Sequence, residues 1–223
     1  MKACVIIPTL NESKSIAELV SQVRSQGFDV LVVDDGSSDN TSSLARGAGA
    51  AVLRSQANQG KGASLIKGFN YALSLNYDAV ITMDGDGQHL PEDIPYFIRL
   101  AEYSNSGLII GNRMSKARGM PRLRLATNMF MSWVISQVSR QNIPDTQCGF
   151  RLIKKEVINK LKLGTAKYET ESEILIKVSR LGFRIESVPI KTVYAGEKSQ
   201  INPFIDTLRF LKFISRELWA TKN

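Results

Sequence analysis

The sequence predicts an α/β fold: a Rossmann-like, mostly parallel sheet flanked by helices. Short apolar, β-branched runs ("ACVIIP", "FDVLVVDD", "AAVLR", "DAVITMD", "GLIIGN") recur in the first half. Their spacing of roughly 20 to 30 residues is that of βα units. Helical patterns fill the intervals. Ile16, Leu19, Val20 and Val23 keep the i, i+3, i+4, i+7 spacing of an amphipathic helix, and Gly27 is placed to end it.

Past residue 111 the rhythm changes. "RMSKARGMPRLR" is a basic, Gly- and Pro-containing loop, followed by a helix from about Leu123 to Arg140. Then come "PDTQCGFRLI", a helical stretch around "TESEILIKVSRLG" and a strand-like "FRIESVPIKTV". The tail from Phe204 to Trp219 is amphipathic, with Phe204, Leu208, Leu211 and Leu218 on one arc and Arg209, Lys212 and Arg216 on one side. Residues 1–200 therefore read as one catalytic-sized domain. Residues 201–223 read as a helix that packs on that domain or lies in a membrane interface.

With 223 residues, 43% of them hydrophobic, the chain can bury a sizeable core. Its 29 basic against 21 acidic residues leave a net charge of +8, which favours phosphorylated metabolites, nucleic acid or an acidic membrane as partners. Nucleic acid is discounted, because acidic clusters at the strand ends repel a phosphate backbone. Cys4 and Cys148 are too few for a disulfide framework and read as small buried hydrophobes. "MKACVIIPTLNE" turns polar too soon for a signal peptide. The richest apolar run, "MFMSWVISQV", is half the ~20 residues of a membrane-spanning helix. A reduced, cytoplasmic setting is expected. Trp133 and Trp219 read as core or interfacial anchors, and the oligomeric state stays open.

In an open α/β sheet, ligands bind beyond the carboxyl ends of the strands. Those positions hold Pro8-Thr9-Leu10-Asn11-Glu12, Asp34-Asp35-Gly36-Ser37-Ser38-Asp39 and Asp84-Gly85-Asp86-Gly87-Gln88, so three acidic clusters are expected on one edge. Two carboxylates at i and i+2 on a turn reach one hard cation, and Mg²⁺ takes one or two carboxylates besides water and phosphate oxygens. Asp84 and Asp86 thus suit a metal-bound diphosphate; a solvated acidic turn is the plainer alternative. An EF-hand is excluded, since Pro95 stands where its last glutamate belongs. A Walker motif is excluded too, because Gly62 follows Lys61. "NQGKG" either brings Lys61 and backbone N–H groups to an anion or is a plain loop. Asp39 or Asn40 caps the next helix. Asp34 and Asp35 exceed that need and suit a nucleobase imide or ribose hydroxyls. His89 reads as a turn residue.

Taken in order, "PTLNE", "VVDDGSSDNT", "NQGKG", "MDGDGQHLPE", "GNR" and "DTQCGFR" resemble family 2 glycosyltransferases of the GT-A fold. Within that family the chain resembles the branch of dolichyl-phosphate mannose synthase and bacterial polyprenyl-phosphate glycosyltransferases. The resemblance implies a hexosyltransferase, inverting and metal-dependent. It would move a sugar from a nucleotide-diphosphate sugar to a lipid phosphate at the cytosolic membrane face; the alternatives are a saccharide hydroxyl acceptor in cell-surface polysaccharide assembly and a non-catalytic nucleotide-sugar-binding protein. Carried over, Pro8, Glu12, Asp34 and Asp35 would hold the nucleoside, with Lys61 near it or its phosphates. Asp84, Asp86 and Gln88 would bind Mg²⁺ or Mn²⁺ with the diphosphate. Arg113, with Arg122, Arg124 or both, would receive the acceptor phosphate, while Asp145 and Arg151 belong to the acceptor-side motif. Asp145 is the candidate base for a hydroxyl acceptor; its rival role is to orient an arginine. Where the branch often carries an arginine before a glycine-x-serine-lysine motif, "TVYAGEKSQ" offers Tyr194, then Lys198 and Ser199. Arg184, Lys191 or Lys198 are candidates for that charge.

Overall fold

The structure, a computed structural model, describes residues 1–116, 120–165, 169–193 and 203–220. Its strands are β1 (Ala3–Thr9), β2 (Asp29–Asp34), β3 (Ala51–Arg54), β4 (Ala79–Thr82), β5 (Ser106–Asn112), β6 (Arg151–Lys154) and β7 (Arg184–Pro189). Its helices are α1 (Ile16–Ser25), α2 (Thr41–Gly47), α3 (Lys61–Ser74), α4 (Ile94–Tyr103), α5 (Arg122–Ser139), α6 (Lys155–Lys160), α7 (Glu169–Arg180) and α8 (Pro203–Ala220). The strands form one sheet in the order β3-β2-β1-β4-β6-β5-β7.

Every residue of β1 is buried, as the strand's unbroken apolar run requires when helices cover both faces of a sheet. α1 buries Ile16, Leu19, Val20 and Val23, the face its periodicity marks. β1 pairs in parallel with both β2 and β4, so the chain winds one way from β1 through β3 and the other way from β4. That reversal places a crevice at the carboxyl ends of β1 and β4. β6 runs antiparallel to both its neighbours. It is a short strand inside the "CGFRLI" motif, opened by an arginine, and the βα rhythm does not announce it.

Two helices depart from the usual amphipathic rule. α5 turns Asn128, Ser132 and Ser139 inward and leaves Leu123, Met129, Phe130 and Trp133 exposed. Trp133 is 61% exposed, which excludes it from the core. α8 packs against α5 and α7 and ties down by a 2.6 Å ion pair between Arg180 and Glu217. It buries Phe210, Phe213 and Ile214 while Leu211 of the expected arc is exposed; the side chains of Phe204, Leu208 and Leu218 lie outside the described residues. Apolar residues surround this helix on nearly all sides, so its pattern alone does not choose the packed face.

Candidate active site

The carboxyl ends of β1 and β4 meet in a small cavity lined by Pro8, Lys61, Met83, Asp84, Gly149 and Glu171, among others. Backbone pairing sets the positions: Met83 N–H donates to Ile6 O at 3.0 Å and Asp35 N–H donates to Thr9 O at 2.9 Å. Ser15 Oγ donates to Gly85 O at 2.6 Å, tying the Asp84–Asp86 turn to the start of α1. Gly85 lies against Thr9 and Glu12, where an added Cβ would come within 2.7 Å of Thr9 Cγ2 and 3.3 Å of Glu12 Cγ. Glu12 is thereby brought to the same turn.

Asp84 forms an ion pair with Lys61, and Lys61 Nζ also lies 2.5 Å from Glu171 Oε1. Burial works against both charges, but Asp84 and Glu171 outweigh it and raise the Lys61 pKa. Asp84 answers in kind: burial raises its pKa, yet Lys61 above all, with Arg113 also nearby, brings it well below the usual carboxylate range. Asp86 behaves oppositely. Burial and the Asp84 charge push its carboxyl up, and it accepts the Gln88 N–H at 3.0 Å. Gly149 explains the glycine of "CGFR", because a Cβ there would lie 2.6 Å from both Asp84 carboxylate oxygens.

Asp84, Asp86 and the Gln88 amide form a set of hard oxygen donors, and a dication between the carboxylates would remove the repulsion that raises Asp86. Among the described residues no group of three or more His, Cys, Asp and Glu is arranged to hold a metal ion. Hard oxygen donors of this kind suit a cation of the Mg²⁺ type, which completes its shell with water and phosphate oxygens.

Other sequence-marked residues have work inside the fold. Asp34, fully buried, accepts the Ser37 N–H at 2.8 Å and the Ser42 hydroxyl. Asp35 accepts the N–H groups of Gln59 (2.9 Å) and Gly60 (2.7 Å). The "NQGKG" amides thus already serve an anion, one the protein supplies itself. Asp39 caps α2, receiving the Thr41 N–H at 3.0 Å. His89 is buried, accepts the Asp84 N–H at Nδ1 over 3.4 Å and packs against the Phe150 ring. Burial lowers its pKa, so it backs the turn as a neutral ring.

On the acceptor side two marked residues are engaged within the fold. Asp145 is fully buried and binds Arg113 as a fork, Nε to Oδ2 at 2.7 Å and Nη2 to Oδ1 at 2.9 Å. A carboxylate so placed orients an arginine, the second of the two roles that the sequence left open for Asp145. Arg151 is 2% exposed and donates to the carbonyls of Cys148 (2.8 Å), Thr146 (2.9 Å) and Glu171 (2.8 Å). It clamps three backbone carbonyls together within the fold. The Arg113 charge contributes to lowering the pKa values of both Asp84 and His89. Arg124 is half-buried at the start of α5. The side chain of Arg122, and Tyr194, Lys198 and Ser199, lie outside the described residues. Glu171 and Ser15 were not marked by the sequence, because neither stands at a strand end.

Comparison with known proteins fits this arrangement. In glucosyl-3-phosphoglycerate synthase of Mycobacterium tuberculosis, solved with Mn²⁺, uridine diphosphate and phosphoglyceric acid, the fold recurs with a TM-score of 0.72 at 20% identity over 88% of this chain and 72% of that one. Fold and site define a glycosyltransferase of GT-A architecture. Residues 4–162 match glycosyl transferase family 2, and the chain belongs to that family. It is 31% identical to the undecaprenyl-phosphate mannosyltransferase of Micrococcus luteus, over 86% of this chain and 84% of that protein. It is 29% identical to the UDP-N-acetylglucosamine–dolichyl-phosphate N-acetylglucosaminyltransferase of Methanococcus voltae, over 85% of each.

Proposed function

We propose that the chain transfers a sugar, with inversion, from a nucleotide-diphosphate sugar to a polyprenyl phosphate at a membrane surface. The observation that carries this is the Asp84–Asp86 turn beside Lys61 at the crevice between β1 and β4. The acceptors named for its Micrococcus and Methanococcus relatives support the lipid phosphate. In this reading Asp84, Asp86 and Gln88 hold Mg²⁺ or Mn²⁺, which when bound stabilises charge on the leaving diphosphate as a Lewis acid. Lys61 adds a second positive charge there. Pro8, Glu12 and the Asp35 loop border the nucleoside, whereas Asp34 shapes that loop from inside.

A phosphate acceptor is ionised at neutral pH and needs no base, in keeping with Asp145 being committed to Arg113. Arg113, oriented by Asp145, receives the acceptor phosphate, with Arg124 beside it. A saccharide hydroxyl would need a general base, and the pairing of Asp145 with Arg113 favours the phosphate acceptor.

Membrane contact is supported by the outward apolar arc of α5 and by the +8 charge, since interfacial helices combine Trp, Phe and Leu with nearby cations. No helix among the described residues is long and apolar enough to cross a membrane.

The test is incubation with a panel of nucleotide sugars and Mn²⁺, with undecaprenyl phosphate, dolichyl phosphate or free saccharides. The expected result is nucleotide release that requires a lipid phosphate, with sugar recovered on the lipid. Transfer only to saccharides would refute the proposed acceptor.

A further inference from the structure

Lys61 is held where a cation is unfavourable. It opens α3, whose amino end carries about half a positive charge from the helix dipole, and the first turn of α3 contains no acidic residue. Two carboxylates from elsewhere compensate: Asp84 after β4, and Glu171 in the first turn of α7. Asp84 alone would be an insecure anchor, because the same carboxylate is needed for a cation. Glu171 is not so shared. Its side chain is 12% exposed, its carbonyl accepts from Arg151 Nη1 at 2.8 Å, and Arg151 Nη2 lies 3.6 Å from its Oε2. The buried arginine of "CGFR" thus fixes α7 and its carboxylate against the cavity.

We infer that Glu171 is a positioning residue for the donor diphosphate and acts through Lys61. In the structure the ammonium bridges Asp84 and Glu171. When the donor enters, Lys61 exchanges Asp84 for a phosphate oxygen and keeps Glu171, so its Nζ stays at the diphosphate while Asp84 is released to the cation. This rests on the donor reading above and adds the residue that holds the lysine in place. It also assigns Arg151 its task, which is to hold Glu171.

A double-mutant cycle tests this, because a residue acting through another loses its effect once that partner is gone. Binding of UDP, GDP, ADP, CDP and dTDP, each with Mn²⁺, is measured by calorimetry on the full chain. The four proteins are the unaltered chain, Glu171→Gln, Lys61→Ala and the double variant, with thermal unfolding as the folding control. Glu171→Gln is expected to weaken the preferred diphosphate by about tenfold, the scale of a charge-assisted contact. It should add less than about twofold on the Lys61→Ala background. An equal loss in both backgrounds, or no loss in either, would overturn the inference. An unaltered chain that binds none of the five would refute the donor reading, and this inference with it.

Discussion

Two basic–acidic contacts frame the site, and they are built differently. Arg113 and Asp145 form a closed fork, with Asp145 fully buried and Arg113 6% exposed. Lys61 is shared between Asp84 and Glu171, with these three side chains 22%, 28% and 12% exposed. The closed pair has fixed partners and fixed geometry, as a bidentate arginine–carboxylate contact provides. The shared lysine can change one partner without losing both, because an ammonium is a compact charge on a flexible stem. Asp145 is suited to holding its arginine in place, whereas Lys61 is suited to exchanging one partner for a ligand.

The largest effect should come from the exchanging side. Asp86→Asn is expected to reduce nucleotide release about 10²- to 10³-fold, the scale of losing one group that stabilises developing charge. It should not lower the unfolding midpoint. Asp86 has its pKa raised in the folded state, so its ionised form opposes folding at neutral pH and an amide removes that cost. Unchanged transfer by this variant would remove the turn from the site.

On the closed side the loss should fall on stability. Asp145→Ala leaves Arg113 buried without its fork partner, and breaking such a pair costs about 3–5 kcal/mol. Denaturant titration reads this, and a loss below about 1 kcal/mol, the scale of an exposed pair, would show that the pair is not structural.

Gly149→Ala tests the boundary between the two sides. An added Cβ 2.6 Å from the Asp84 oxygens forces Asp84 or the strand to move, so Mn²⁺-dependent diphosphate binding should fall about tenfold or more. Calorimetry that shows no change would mean that Asp84 is free to shift.

The smallest effect concerns acid. Hydrogen bonds from Thr41 hold the Asp39 pKa down to about 2, against 3.8 ordinarily. Because the folded value is depressed, the stability it gives is complete above about pH 4 and is lost as pH falls toward about 2. Asp39→Asn should flatten the dependence of stability on pH in that window, and a slope identical to that of the unaltered chain would count against the cap.

The parts legible in the sequence were those governed by short-range pattern. β1, β2 and β4 follow from apolar runs, α1 from its 3.6-residue period, and the Asp84–Asp86 turn from its place at a strand end. Other features depend on contacts between distant segments. Asp145 and Arg113 are 32 residues apart, and nothing local tells a carboxylate that serves an arginine from one that serves a substrate. Glu171 resembles any acidic residue in the first turn of a helix, a common site for charge that complements the dipole. β6 is brief and starts with an arginine whose partners are backbone carbonyls. In α8 the apolar residues run nearly all round, so only packing decides that Phe210, Phe213 and Ile214 face inward.

The central claim is that Asp84 and Asp86 hold a divalent cation together with a nucleoside diphosphate. Its most direct test is a Mn²⁺ titration followed by electron paramagnetic resonance, on the unaltered chain and on Asp86→Asn, with and without the preferred diphosphate. The account predicts one Mn²⁺ bound more tightly when the diphosphate is present, and loss of that site in the variant. The same Mn²⁺ affinity in both proteins would contradict it.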